Sequence, residues 1–419
     1  MESKFTELIK QHSVSPKAAD WLLKALHPPS GITKVALPDA SWRPGLRVDA
    51  RPSTVVTFAD DVNWDCLIVT PPGDNTFAVI ATAPSPADFT SPSAPADGTI
   101  VVIQVAKPED FTTITHNATE TILSTTPSTV IGAKSIDTAQ SAYDAQAFRT
   151  TYRSITVSLT ASDLYNGGTL TVGQYDAAYI DTGLLVNVVG IDGSPNDAMA
   201  EQVLTNIPLS ENFMTQGMPS VRTSPAKEGY YMPHRLLGPT QPFLSSATAI
   251  GKRSYNVTLG APSVSTSTVL YDPTTTSNTS TQLTVPRIFE VASGETTIPW
   301  WSSLYAVSGI SGAPLFDIGY DNCATGIAIF RNLDPHASLT VQGYVGYEYV
   351  LRQNSPFLNF VEASAPYDSR AIKLYYDIVN SMAMVYPADH NDLGKLLGKL
   401  YSVARGVVAT ISPIVTPVL

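Results

Sequence analysis

The sequence predicts an all-β sandwich with helical segments at its amino and carboxyl ends. Three observations predict it. Short runs rich in Val, Ile, Thr and aromatic residues recur from about residue 50 to residue 351, turn-forming residues separate them, and helical periodicity is confined to the first thirty residues and the stretch after residue 365. Thirty-two prolines and 26 glycines spread along 419 residues favour short strands joined by turns over long helices. With 43% hydrophobic and 15% charged residues, the chain can bury a sizeable core and is neither disordered nor a coiled coil.

Residues 1–30 read as helix, because Phe5, Leu8 and Ile9, then Trp21, Leu22, Ala25 and Leu26, recur at spacings of three and four; Pro28-Pro29 stops it. Strands follow at TVVTF, DCLIVT, TFAVIATA and TIVVIQVA, separated by PPGDN and a proline-rich stretch. Tyr152 to Thr160 alternates, Asn166-Gly167-Gly168 breaks the run, and Thr169 to Tyr175 resumes it, which reads as a hairpin with a loop longer than a two-residue turn. Further strands are expected at 183–189, 229–233, 254–259, 282–290, 324–330 and 337–351. Thirteen of the 22 residues from Ser263 to Thr284 are Ser or Thr, which places this stretch on the surface. It lies in a long connection, about 236–305, expected to project from the domain.

After residue 365 the pattern turns helical in DSRAIKLYYDIVNSMAMV and again in NDLGKLLGKLYSVARGVVATI. The second segment sets Leu393, Leu396, Leu397, Leu400, Val403, Val407 and Val408 on one stripe, with Lys395, Lys399, Ser402 and Arg405 opposite. An apolar stripe with a basic face suits an interfacial membrane-active helix, and a helix packed beneath the sandwich needs the same stripe.

The formal net charge of −11 argues against a free-standing nucleic-acid-binding domain, which needs a clustered basic footprint. Cys66 and Cys323 sit in apolar runs, are too few for a disulfide framework, and read as buried thiols. The amino terminus carries no apolar signal core, so the chain is expected to be made in the cytosol, with the sequons at Asn117, Asn256 and Asn278 unused. His12, His27, His116, His234, His336 and His390 are scattered without zinc-site spacing. Asp60, Asp61 and Asp65, with Asp317 and Asp321, offer oxygen ligands for calcium if subunits bring them together; solvated loop acids are the simpler reading. No cofactor is expected beyond such structural calcium. Trp300 and Trp301 are candidates for a core or for an interface anchor.

One string bears on catalysis. Ser308-Gly-Ile-Ser-Gly-Ala-Pro314 is similar to the nucleophile segment of chymotrypsin-like proteases, with Ser311 as nucleophile and His116 as the upstream base in a β context. A glycine-rich turn explains the same string, and no catalytic residue is assigned.

Several strings in order resemble the coat proteins of noda-like and tombus-like positive-strand RNA viruses. They are Trp21-Leu-Leu-Lys-Ala-Leu-His-Pro28 with Leu37-Pro38-Asp39 and Trp64-Asp65; Tyr152 to Ala161 with Leu164-Tyr-Asn-Gly-Gly168; Gly229-Tyr-Tyr-Met-Pro233; and Ala337-Ser-Leu-Thr-Val341 with Gly346-Tyr-Glu348. The resemblance covers about residues 20–370. It implies a single eight-stranded jelly roll that self-assembles into an icosahedral shell, of T=3 type, around a genome of RNA. The domains that follow are an inner, partly helical segment at 1–49, a shell domain at 50–365 with the insertion at about 236–305 projecting, and an internal helical segment at 366–419. The implied partners are other copies of the chain, genomic nucleic acid, a host receptor met by a surface loop, and a membrane met by the last helix; the implied location is the virion, after synthesis in host cytoplasm. Such coat proteins begin with an Arg- and Lys-rich arm, whereas residues 1–50 here hold seven basic and five acidic residues. Genome contact then falls to Lys395, Lys399 and Arg405 with Lys4, Lys10, Lys17 and Lys24. In some related coat proteins a carboxyl-terminal segment is released by self-cleavage after an asparagine with the help of a nearby carboxylate; Asn359-Phe360, Asn380-Ser381 and Asn391-Asp392 are the available bonds, no sequence argument selects one, and an uncut chain is the expectation. Two other functions stay open: a protease centred on Ser311, and a monomeric receptor- or glycan-binding β-domain.

Overall fold

A computed structural model describes residues 7, 9–41, 43–70, 76–90, 97–104, 119–123, 145–176, 179–189, 197–204, 210–218, 220–238, 241, 243–245, 256–258, 268–270, 281–283, 323–351, 353 and 355–391. In chain order the strands are β1 (Leu46–Ala50), β2 (Ser53–Val56), β3 (Trp64–Thr70), β4 (Thr76–Pro84), β5 (Thr99–Gln104), β6 (Thr119–Leu123), β7 (Ala145–Thr160), β8 (Thr169–Tyr175) and β9 (Tyr179–Val189). They continue as β10 (Asp197–Leu204), β11 (Val221–Pro225), β12 (Tyr230–Pro233), β13 (Leu244–Ser245), β14 (Asn256–Thr258), β15 (Thr268–Leu270), β16 (Thr281–Leu283), β17 (Thr325–Leu333) and β18 (Ser338–Leu351). Three α-helices are described: α1 (Pro16–Leu26), α2 (Glu211–Gly217) and α3 (Ser369–Ser381).

The all-β class is therefore observed, with two main antiparallel sheets. In one, β18 is central, flanked by β1 and β2 on one side and β7 on the other, and β7 pairs in turn with β12 and β13. The other runs β11-β8-β17-β3-β4-β5-β6. The inward residues of both sheets form one core: Ile155 and Val157 of β7 and Leu339, Val341 and Val345 of β18 meet Cys66 and Ile68 of β3, Leu170 and Val172 of β8 and Ala328 and Phe330 of β17. Because strand side chains alternate between faces, the same β7 sends Tyr152 outward, where it joins a second core with Trp21 and Leu22 of α1 and Ala371, Tyr375 and Ile378 of α3. The helices thus cover the outer face of the β18 sheet. Pro16 presets the first turn of α1. Asp368 caps α3 by accepting from the Arg370 and Ala371 amides and also takes the Ser15 amide at 2.7 Å, tying the two helical segments together.

Register defines two ends of the sandwich. At one, Leu333 lies opposite Trp64 and Arg331 opposite Thr169, and the short connections 57–63, 161–168, 226–229 and 334–337 turn back. Gly168 (φ +99°) and Gly229 (φ +53°) occupy positive-φ positions here, and a Cβ on Gly229 would stand 2.2 Å from the Val157 carbonyl oxygen. At the other end, Gly326 lies opposite Thr70 and Thr325 opposite Tyr175, and the long excursion from 237 to 322 begins and ends there. β14, from that excursion, pairs with β9, from the excursion after β8, and β10 completes a three-stranded sheet.

One expectation changes. The amino-terminal helix is not continuous over residues 1–30, because Ser13 at φ +51° interrupts it before α1. Within the Ser/Thr-rich stretch, for which only a surface position was expected, β15 and β16 pair as a small antiparallel ribbon from Thr268↔Leu283 to Leu270↔Thr281. The helix expected from Asn391 onward lies outside the described residues.

Candidate functional site

At the short-loop end a fully buried carboxylate organises the turns. Asp65, at the start of β3, accepts the Ala87 and Asn332 amides and an Arg331 guanidinium N–H, each at 2.8 Å. Arg331 also donates to Glu211 of α2 and lies over the Phe89 ring, 5.2 Å from its centroid. Burial pushes the Glu211 carboxyl up, but the hydrogen bond from Arg331 and the helix amide outweigh it and hold the group below its ordinary range. Trp64 donates its indole N–H to the Asp334 carbonyl at 2.9 Å, and the Tyr165 ring stacks on His336 at 4.8 Å, so loops 161–168 and 334–337 are joined. Outside this lock stand exposed apolar side chains: Leu164 at 81%, Val62 at 46% and, on α2, Phe213 at 54% exposure.

At the insertion end the charged groups are buried between layers. Arg47, Glu348 and Arg149 stand side by side across β1, β18 and β7. Arg149 donates to Glu348 Oε2 at 2.6 Å, to Asp39 Oδ2 at 2.6 Å and to the Gln241 carbonyl at 3.2 Å, and its guanidinium lies 4.2 Å from the centre of the Phe243 ring. One side chain thereby fastens the segment before β1, the sheet, and the root of the 237–322 excursion. Arg47 extends the network to Glu362 at 2.7 Å, and Lys34 reaches the same carboxylate at 3.6 Å. Burial pushes the Glu348 carboxyl up against the pull of Arg149 and Arg47. Its protonation is therefore favoured by the folded state, and this joint does not loosen on acidification through that group.

Of the residues singled out by sequence, Asp60 and Asp61 lie exposed in the 57–63 loop. Asp65 is neither a loop acid nor an open calcium ligand, because its oxygens are taken by Arg331 and two amides. Among the described residues, no group of three or more His, Cys, Asp or Glu is placed to hold a metal ion. Cys66 and Cys323 are buried thiols, as expected. His116, Trp300, Trp301, Ser311, Asp317, Asp321, Leu393, Lys395, Leu396, Leu397, Lys399, Leu400 and Arg405 lie outside the described residues. Sequence reasoning did not single out Arg149, Glu348 or Arg331 as a site. The available signal was a charge inside a β-rich run, since a charge there must be buried with a partner or turned to solvent.

The fold and its two ends place the chain in the class of antiparallel sandwiches with short loops at one end and long excursions at the other. Residues 304–412, about a quarter of the chain, match Peptidase family A21, which is not the chymotrypsin-like family suggested by the Ser311 string. No curated protein matches. Among solved structures the chain is similar to the T13 viral particle of infectious bursal disease virus, at 11% identity and a TM-score of 0.47, covering 97% of this chain and 100% of that one. It is similar also to T=1 particles derived from the same virus (11% identity, TM-score 0.47, covering 92% and 96%) and to its VP2 subviral particle (9%, 0.47, covering 95% and 100%). These are not noda-like or tombus-like viruses, the group that the sequence strings resemble, and the particles are described as T13 and T=1 where that resemblance implied T=3.

Proposed function

We propose that this chain is the coat protein of a small non-enveloped virus, a jelly-roll unit that self-assembles into an icosahedral shell around a genome. The observation that carries the reading is strand order. Numbering eight framework strands along the chain as β1 with β2, then β3, β7, β8, β11, β12, β17 and β18, the sheets run 1-8-3-6 and 2-7-4-5, the order of two interlocked Greek keys. β4, β5 and β6 extend one sheet beyond that framework, and β9, β10 and β14 form the sheet rooted at the insertion end. That sheet supports the reading of the excursions, about 236–305 included, as the outward projection with the host-contacting loop, while the helical layer at 1–49 and 366–419 faces inward. Exposed Leu164, Val62 and Phe213 support subunit contact at the short-loop end. Within this reading Trp300 and Trp301 anchor an interface, Asp60 and Asp61 meet Asp317 and Asp321 of neighbours around calcium, Lys395, Lys399 and Arg405 meet the genome, and Leu393, Leu396, Leu397 and Leu400 form the membrane-active stripe. Light scattering and negative-stain imaging of the purified chain test the shell: closed particles of megadalton mass are expected. A strict monomer across salt and calcium concentrations would refute it.

The match to Peptidase family A21 favours a second activity, self-processing of the carboxyl-terminal quarter. All three asparagine bonds fall inside the matched residues. Asn359-Phe360 lies in an exposed 3₁₀ turn, three residues before Glu362.

A further inference from the structure

We propose that the neck of the 237–322 excursion is an acid-sensitive clasp and that His234 is the group that opens it. The chain leaves β12 through His234, Arg235 and Leu236 and returns through Cys323 and Ala324 into β17. The two legs are zipped together: the Ala324 amide donates to the Arg235 carbonyl at 2.7 Å, and Leu236 and Cys323 form an antiparallel bridge. The His234 ring crosses the same junction, its Nδ1 lying 3.0 Å from the Ala324 carbonyl oxygen. A carbonyl only accepts, so Nδ1 carries the proton and Nε2 is the basic nitrogen of the neutral ring. His234 is 1% exposed, and its Nε2 is buried without a hydrogen-bond partner among the described residues.

The surroundings of that nitrogen do not suit a cation. From β7 the side chain facing it is Arg153, 3% exposed, whose guanidinium donates to the Phe77 carbonyl and lies over the Phe77 ring. Gly326, beside Thr70 and the Met232 methyl, lies against its Cε1. On the legs themselves stand Cys323 and Arg235, and Asp176 at the end of β8 is engaged by Arg235. The legs are braced from outside by Gln174, which accepts the Arg235 amide at 3.0 Å, and by the Tyr375 hydroxyl of α3, which accepts the Leu236 amide at 2.9 Å. A proton on Nε2 adds a second buried cation beside Arg153 and a donor without an acceptor. Burial, and after it the charge of Arg153, push the ring down from an ordinary 6.5 to about 3. The closed neck holds His234 neutral while an opened neck lets it titrate near 6.5. The stabilisation of the closed form is complete above that value and is lost as pH falls from 6.5 toward 3, by about tenfold in the opening constant per pH unit.

The clasp lies within one chain and does not rest on the shell reading. Amide hydrogen exchange of the full chain, followed by mass spectrometry at pH 7.5 and 5.0 and corrected for intrinsic rates, tests it. Peptides covering 232–238 and 321–327 should open about thirtyfold more at pH 5.0, with peptides of β18 unchanged. In His234→Gln the change should fall below about threefold. An equal gain in β18, or a thirtyfold gain that persists in H234Q, would overturn the proposal. If H234Q does not fold, the wild-type profile decides: onset near pH 6.5 is required, and onset only below about 4, the range of ordinary carboxylates, sinks it.

Discussion

At the short-loop end of the sandwich one carboxylate, Asp65, collects the Ala87 and Asn332 amides and the Arg331 guanidinium and so ties the connection after β4 to the end of β17, whereas at the insertion end Arg149 spans three separate layers and holds the root of a long excursion. The first arrangement satisfies a buried charge locally, around one strand end. The second satisfies it only when the segment before β1, the β18 sheet and the excursion are all in place. The difference teaches where each end is rigid. The short-loop end is closed by the sandwich itself and leaves apolar side chains such as Leu164 exposed, and the insertion end is closed by layers that must dock.

The largest effect should come from breaking the joint between layers. Arg149→Leu leaves Asp39 and Glu348, 3% and 5% exposed, without their shared cation, and should lower stability by about 3–5 kcal/mol in denaturant unfolding. Adding Asp39→Asn and Glu348→Gln should recover part of that loss; no recovery would mean that Arg149 acts by packing on Phe243.

Asp65→Ala should cost somewhat less, about 3 kcal/mol, because Arg331 keeps Glu211 as a partner. An acid titration sharpens the contrast. The folded state holds the Glu211 carboxyl below its ordinary value, so its contribution is present above the unfolded value and lost as pH falls through the folded one. Wild-type stability should show this acid limb, and Glu211→Gln should flatten it. The smallest effect on folding belongs to Leu164→Ser, within about 0.5 kcal/mol, since the side chain is 81% exposed. If the short-loop tips meet neighbours, the same substitution should nevertheless reduce particle yield in sedimentation; unchanged yield would leave Leu164 as an idle surface residue.

The sequence by itself determined the β class, the cores of β3, β4, β7, β8, β17 and β18, the turn at Asn166-Gly168 and helix α3, because alternation, turn residues and 3.6-residue periodicity are local signals. It did not determine β1, β10 or β11, whose LRVDA, DAMAEQVL and VRTSP carry little strand patterning. A strand of this kind exists because a neighbour offers it a ladder, as β18 does for β1 and β8 for β11. The charged joints were equally hidden. Asp65 read as a loop acid until Arg331, 266 residues away, was placed on it, and Arg149 meets Asp39 and Glu348 across 110 and 199 residues. Nothing in the local pattern names a partner at that distance. A charge in a strand states only that desolvation must be answered, and the folded sheet decides which residue answers it.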